Sequence, residues 1–222
     1  MPDSPLIGYS FDDRIGRYRS GQTGRFVARD RILDLLDAQT TGAEQRMRAL
    51  VTSAHGGELS PSVFAEQMRT ELRRLHLQQS ALGAGGFDRL TQRDYGRVGG
   101  ILRGEYQHLE QFVRQIQAGE VTLPEALARA NRYIGQARRQ FYHAEADRRQ
   151  PEGGMVLIEK RVLDPGARHC RDCPGYADRG WEIAGSLPVP GEACECGGHC
   201  RCRRVSREVP AGEVGEWIGT YR

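Results

Sequence analysis

Apolar residues recur every three or four positions through most of the first 150 residues, which is the spacing of one buried face of an α-helix. The pattern predicts four helices of roughly 20 to 28 residues each. Their starts are marked by Phe26, Ser60-Pro61, Thr91 and Thr122. Ser60 is a capping hydroxyl followed by proline, and Thr122 with Glu125 has the spacing of a capping box.

Glycine clusters separate the predicted helices from one another. The first helix ends at about Val51, before Gly56-Gly57, the second ends at 83–86, and the third ends at Gly119. The short loops favour an antiparallel bundle or a pair of helical hairpins. The predicted fold class is therefore mainly α, a long-helix bundle or helical hairpins followed by a small β-containing module that zinc holds together.

The third helix contains an unusual row of glycines, Gly96, Gly100 and Gly104. Each glycine inside a helix costs about 1 kcal/mol relative to alanine, so the row predicts that another backbone packs closely against it. We expect this interface to be with a helix of the same chain, with a neighbouring subunit as the second choice. A break in the helix is the third interpretation.

Three segments differ in composition. Residues 1–25 have scattered glycine and arginine without a period and predict an extended N-terminal arm. Residues 26–150 form the predicted helical domain, and 151–222 a cysteine-rich zinc-binding module with a C-terminal tail. In that module, 155–163 predicts a strand and 203–206 its partner.

All six cysteines lie between Cys170 and Cys202, as a C-x2-C pair and, about twenty residues later, a denser second group. Such spacing is typical of a metal site, because two tight turns supply the tetrahedral ligands of one zinc ion. We predict one structural zinc per chain. The expected ligands are Cys170, Cys173, Cys196 and Cys200.

Cys202 and Cys194 are held in reserve as ligands. If 200–202 is a strand, Cys200 and Cys202 point to opposite sides, which disfavours chelation by both. His169 and His199 are possible substitutes, although ordinary loop positions are the simpler explanation. Disulfides are the competing interpretation, because six is an even number, and a redox C-x2-C is the third.

Charge and hydropathy narrow the function classes. The net charge is only +3, below what the dense basic face of a dedicated DNA-binding protein would give. No apolar run approaches the length of a transmembrane helix, and the first residues show no secretory signal, so no membrane partner is expected. No P-loop, G-x-S-x-G or H-E-x-x-H motif is present, and we expect no enzymatic activity.

The cysteine segment resembles a known family. It is similar to the C-terminal segment of tailed-phage minor head proteins of the phage Mu F-like kind. The similar positions are 169–173, Gly180-Trp181, 185–188 and Cys196-x3-Cys200-Arg201-Cys202. The likeness is fairly specific over 160–204 and only suggestive over 20–150. Gly198-His199 stands where the family more often has His-Pro-Asn, and Cys194 is additional.

The resemblance implies a structural head-morphogenesis protein that is assembled in the host cytoplasm into the virion. Its implied partners are portal or capsid proteins, bound by several copies near the packaged DNA. A zinc-ribbon regulator that binds nucleic acid is the alternative, since Arg201, Arg203, Arg204 and Arg207 adjoin the cysteines. A metal-dependent enzyme is the least favoured hypothesis, because thiolate-rich zinc cages are usually closed.

Overall fold

Long helices dominate the structure, as the sequence predicted. The computed structural model describes residues 8–149, 151, 153–197 and 200–218. The helices are α1 (Arg29–His55), α2 (Pro61–Ala84), α3 (Gln92–Gln117) and α4 (Leu123–Arg148). A short 3-10 turn at Phe87–Arg89 leads from α2 into α3.

The predicted helix starts depend on side-chain caps that the structure shows. Ser60 Oγ accepts a hydrogen bond from the backbone N–H of Val63 at 3.3 Å. Thr91 and Thr122 each exchange hydrogen bonds with the acidic residue three positions later, which completes a capping box. The first helix begins three residues later than predicted, because Phe26 and Val27 pair as a strand.

The bundle core lies between α2 and the other three long helices. Phe64 and Phe112 are fully buried and meet edge to face, with ring centroids 6.0 Å apart. The backbones of α2 and α4 approach each other closely. A Cβ placed on Gly83 would lie 2.2 Å from the carbonyl oxygen of Phe141, so only glycine fits there.

The predicted extended arm is corrected by the structure for the described residues from 8 onward. They form an antiparallel sheet in the order β1-β2-β3, which consists of β1 (Tyr9–Asp12), β2 (Arg17–Ser20) and β3 (Phe26–Val27). Tyr18 is 3% exposed and donates a hydrogen bond to the carbonyl of Leu82 at 2.7 Å. A buried aromatic side chain thus anchors this segment on the helical body. Residues 1–7 lie outside the described residues.

The glycine row on α3 does not pack as predicted. Around Gly96, Gly100 and Gly104, no atom of the described chain outside the helix's own backbone lies within 4 Å of the position that an added Cβ would occupy. Tyr95 beside them is 50% exposed. Packing within the chain and a helix break are therefore both wrong for the described residues, since α3 runs unbroken from Gln92 to Gln117.

The C-terminal module contains a second small antiparallel sheet in the order β5-β4-β6. Its elements are β4 (Met155–Val162), α5 (Asp172–Asp178), β5 (Glu182–Ile183), β6 (Arg203–Pro210) and α6 (Val214–Trp217). The predicted pairing of the two longer strands is confirmed, with Val162 opposite Arg203 and Met155 opposite Pro210. The sheet therefore brings the start of β6 beside the end of β4.

A buried arginine and a half-buried one hold the module against α4. Arg204 lies 3.1 Å from the carboxylate of Glu159 and donates to the carbonyl of Tyr142 at 2.6 Å. Arg139 on α4 donates two hydrogen bonds to the carbonyl of Gly191. Within the part of the chain that is described, no helix combines the length and hydrophobicity needed to span a bilayer.

Candidate metal centre

Three segments of the C-terminal module bring the cysteines together. Cys170 and Cys173 bracket the start of α5, and Cys194 and Cys196 lie in the loop between β5 and β6. Cys200 and Cys202 come directly before β6. Because β6 pairs along its length with β4, its start is fixed, and the last two cysteines are fixed with it.

Hydrogen bonds and one tight turn hold the loop in place. The carboxylate of Asp172 accepts a hydrogen bond from the backbone N–H of Glu195 at 2.9 Å, which joins the first cysteine pair to the second. Gly191 has a φ of +87°, and a Cβ there would lie 2.6 Å from the carbonyl oxygen of Gly197. The loop can approach the cysteine segment this closely because residue 191 is glycine.

The sulfur atoms stand at separations that suit a metal ion. Cys173 Sγ is 3.5 Å from the Sγ atoms of Cys170 and Cys196 and 3.8 Å from that of Cys200. Two sulfurs bound tetrahedrally at a zinc–sulfur distance near 2.3 Å are about 3.8 Å apart. The cluster can therefore hold a metal ion with little rearrangement.

The sulfurs divide into two overlapping groups, within each of which all atoms lie inside 4.8 Å of one another. The four-sulfur group consists of Cys170, Cys173, Cys194 and Cys196. The three-sulfur group consists of Cys173, Cys200 and Cys202. Cys173 belongs to both and is fully buried.

This division differs from the predicted ligand set. Of the four preferred cysteines, Cys170, Cys173 and Cys196 share a group with the reserve Cys194, while Cys200 groups with the reserve Cys202. The expectation that Cys200 and Cys202 point apart is wrong, because the strand starts only at Arg203. All six cysteines are free thiols, which is the state that metal binding requires and disulfides exclude.

The clustered thiols shift one another's pKa values in both directions. Burial raises the pKa of Cys173, and hydrogen bonds with neighbouring cysteines raise it further. For Cys170, burial acts in the same direction, but hydrogen bonds from Cys196 and Cys173 outweigh it and lower the pKa to about 6. Neighbouring thiolates repel one another, so a bound cation is what would stabilise all of them as ligands.

Two further residues lie beside the cluster, of which Arg161 was not predicted and His169 was predicted only as a possible substitute ligand. Arg161 on β4 is 3% exposed, with Nη1 4.0 Å from Cys200 Sγ, and it donates to the carbonyl of Pro188. His169, considered only as a substitute ligand, has Nδ1 3.7 Å from Cys202 Sγ. His169 adjoins the first cysteine in sequence, whereas no sequence signal marks Arg161. His199 lies outside the described residues.

Comparison with models of protein families, with curated proteins and with solved structures finds no match to this chain in any of the three. The geometry of the module, a cysteine cluster able to hold a metal ion on a mainly helical body, therefore stands on this chain's own residues.

Proposed function

We propose that the chain is a non-enzymatic structural protein of a tailed-phage virion, placed in the head or the portal and connector region. In this proposal the helical body supplies contacts with portal or capsid proteins. The cysteine-rich module is held together by structural zinc. The chain is made in the host cytoplasm, and several copies assemble into the particle.

The cysteine-rich segment is the observation that carries the proposal. Its residues over 160–204 resemble the C-terminal segment of phage Mu F-like minor head proteins. The convergence of all six cysteines in one cluster supports a metal-bound module at that place. A role in assembly requires no catalytic group.

Zinc is the metal that the donor set favours. Thiolate sulfur selects zinc, copper(I) or iron–sulfur clusters over magnesium and calcium, and zinc accepts tetrahedral sulfur sites without redox chemistry. The module's own apolar core, around Ile158, Trp181 and Val209, is small. Metal binding would therefore contribute directly to the folding of the module.

The exposed glycine row on α3 supports a contact with another subunit. Gly96, Gly100 and Gly104 leave the helix backbone open to close approach, and the described part of this chain does not fill the space. Small residues on a helix face permit a partner helix to pack backbone to backbone. We propose this face as a contact with a neighbouring copy or a portal subunit.

The alternative of a nucleic-acid-binding regulator is less favoured, because most of the arginines beside the cysteines have partners within the chain. Arg204 is buried against Glu159, and Arg203 lies 3.5 Å from Asp30 of α1. Arg207 stacks on Trp217 at 4.6 Å from the ring centroid. Arg201, the fourth of these arginines, is 68% exposed beside Asp164. The four arginines therefore do not form one continuous, unpaired basic surface for phosphates.

The proposal predicts that genes for portal and major capsid proteins lie near the gene for this chain. It is tested by co-expressing the chain with those proteins and isolating the assembled particles. We expect peptides of this chain in particles purified by density gradient. A Gly100→Leu variant should lose this association, whereas Gln45→Leu, at an exposed position of α1, should retain it. Particles that assemble fully without binding the chain would refute the proposal.

A further inference from the structure

The cysteine cluster offers more donor atoms than one tetrahedral ion can use. The four-sulfur group alone completes a tetrahedron, yet Cys200 and Cys202 also lie within 4.8 Å of the shared Cys173 sulfur. Cys200 is 1% exposed and Cys202 is fully buried. A single ion in the four-sulfur group would leave these two buried thiols without a metal.

His169 presents a seventh donor to the same cluster. Its Nε2 lies 2.8 Å from the carbonyl oxygen of Asp164. Because a carbonyl only accepts hydrogen bonds, Nε2 carries the ring proton and Nδ1 keeps a free lone pair. Metal-bound histidines are commonly oriented by such a bond from the other ring nitrogen.

The position of Nδ1 also suits a ligand. It is 3.7 Å from Cys202 Sγ. A nitrogen and a sulfur on one tetrahedral zinc, at bond lengths near 2.05 and 2.3 Å, are about 3.6 Å apart. Nδ1 therefore approaches the three-sulfur group on its Cys202 side. The ring would have to shift toward Cys173 and Cys200 to become the fourth ligand, because only the three sulfurs all lie within 4.8 Å of one another.

We propose that the module binds two zinc ions that share Cys173 as a bridging thiolate. Cys170, Cys194 and Cys196 complete the first site, and Cys200, Cys202 and His169 complete the second. Two tetrahedra have eight ligand positions, and seven donors fill them when one sulfur bridges. This inference rests on the zinc assignment within the proposed function and extends it from one ion to two.

The charges of such a centre are balanced better than those of two separate sites. Six thiolates and two Zn²⁺ ions give a formal charge of −2, whereas two separate four-thiolate sites would total −4. The buried Arg161, 4.0 Å from Cys200 Sγ, offsets part of the remaining charge. Sharing one thiolate and using a neutral imidazole are the two features that reduce the negative charge.

The number of ions is tested on the full chain purified from zinc-supplemented cells. We expect a ratio of two zinc ions per chain by mass spectrometry of the metal. A ratio of one would overturn the two-ion centre and leave the zinc assignment standing. A ratio of zero, with the sulfurs paired as disulfides, would overturn both, and neither result depends on the particle-binding experiment.

Replacement of zinc by ¹¹³Cd tests the bridge itself. Two cadmium resonances that are coupled to each other are expected, because a single sulfur connects the two nuclei. Their chemical shifts should differ, since one ion has four sulfur ligands and the other has three sulfurs and one nitrogen. Two resonances without mutual coupling would rule out Cys173 as a bridge.

Single substitutions assign the second ion to its ligands. Cys202→Ser and His169→Ala should each lower the zinc content from two ions to one, and His169→Cys should restore two. His108→Ala, at an exposed position on α3, is the matched control and should keep two. Helical circular dichroism checks that each variant is folded.

Substitution of His199 gives the result that would contradict this ligand assignment. If His199→Ala removes one ion while His169→Ala keeps both, His169 is not a ligand and the assignment of the second site fails.

Discussion

Among single residues, Glu145 on α4 is a buried charge that is held by a close ion pair. It is 1% exposed and accepts two hydrogen bonds from Arg29, each 2.8 Å long. Burial opposes its ionisation, but the attraction of Arg29, followed by Arg149 and Arg148, outweighs burial and lowers the pKa from 4.5 to about 2. The folded state therefore prefers the ionised carboxylate.

The lowered pKa of Glu145 determines how the stability of the chain changes with pH. An acid whose pKa falls on folding stabilises the protein above its unfolded pKa, and this contribution disappears as the pH falls through the folded value. We expect Glu145→Gln to reduce the free energy of unfolding by roughly 3 kcal/mol at neutral pH. The difference from the unmodified chain should shrink between pH 4.5 and about 2.

Urea unfolding of both chains across this pH range measures the effect. Glu110→Gln is the matched control, because Glu110 is 61% exposed and its pair with Arg69 contributes about 0 to 1 kcal/mol. If Glu145→Gln lowers the free energy of unfolding by the same amount at pH 2 as at neutral pH, the shape of the side chain and not its charge determines the effect.

Individual cysteines illustrate what residue spacing can and cannot predict. The C-x2-C pair identified Cys170 and Cys173 as ligands that lie together, because two residues between them leave little choice of geometry. The grouping of Cys194 with Cys196 and of Cys200 with Cys202 depends on the residue at which β6 begins. The sequence pattern that predicted this strand does not fix its first residue. Arg161 entered the site because β4 pairs with β6, which brings it to within 4.0 Å of Cys200, 39 residues later in the chain.

At the scale of the helices, replacing each of two glycines by alanine should change the stability of the chain in opposite directions. Gly100→Ala on α3 should stabilise the isolated chain by about 1 kcal/mol, since alanine favours helix and the added Cβ meets open space. Gly83→Ala on α2 should destabilise it, because its Cβ would collide with the Phe141 backbone. Thermal unfolding measures both, with an expected rise of about 2–4 °C for Gly100→Ala.

A destabilised Gly100→Ala would mean that this face is already packed in solution, for example in a self-assembled oligomer. Gel filtration of the same sample would then show a species larger than 24.8 kDa. If the Gly83→Ala variant is as stable as the unmodified chain, the close approach of α2 and α4 is contradicted.

The helix boundaries were largely predictable because local signals determine them. Thr91, Thr122 and Ser60 cap their helices with their own side chains, so the sequence within four residues is sufficient. The N-terminal sheet was missed because its strands are only two to four residues long, which is too short for the alternation of Tyr9-Ser10-Phe11-Asp12 to indicate a strand. Its stability comes from Tyr18 packing against α2, a contact 64 residues away.

At the scale of the whole molecule, the two tryptophans distinguish the cysteine-rich module from the helical body. Both Trp181 and Trp217 lie in the module, with ring centroids 6.0 Å apart. Tryptophan fluorescence thus reports on the module, while far-ultraviolet circular dichroism reports mainly on α1–α4. The two parts can be followed separately in one sample.

Removal of the metal should unfold the module before the helical body. We expect a zinc chelator to shift the tryptophan emission to longer wavelength while the helical signal is retained, because metal binding supplies much of the module's folding energy. Readdition of zinc should restore the emission. Cys170→Ser should show the shifted emission without chelator, and simultaneous loss of both signals would contradict the prediction.

Lysine is nearly absent from the chain, and this has a practical consequence for finding a partner. Lys160 is the only lysine, and it lies on β4 with Nζ 4.9 Å from the Trp181 ring centroid. A lysine-directed cross-linker therefore has a single side-chain attachment point, at the cysteine-rich module. Every side-chain cross-link to a particle protein would report which partner surface faces β4.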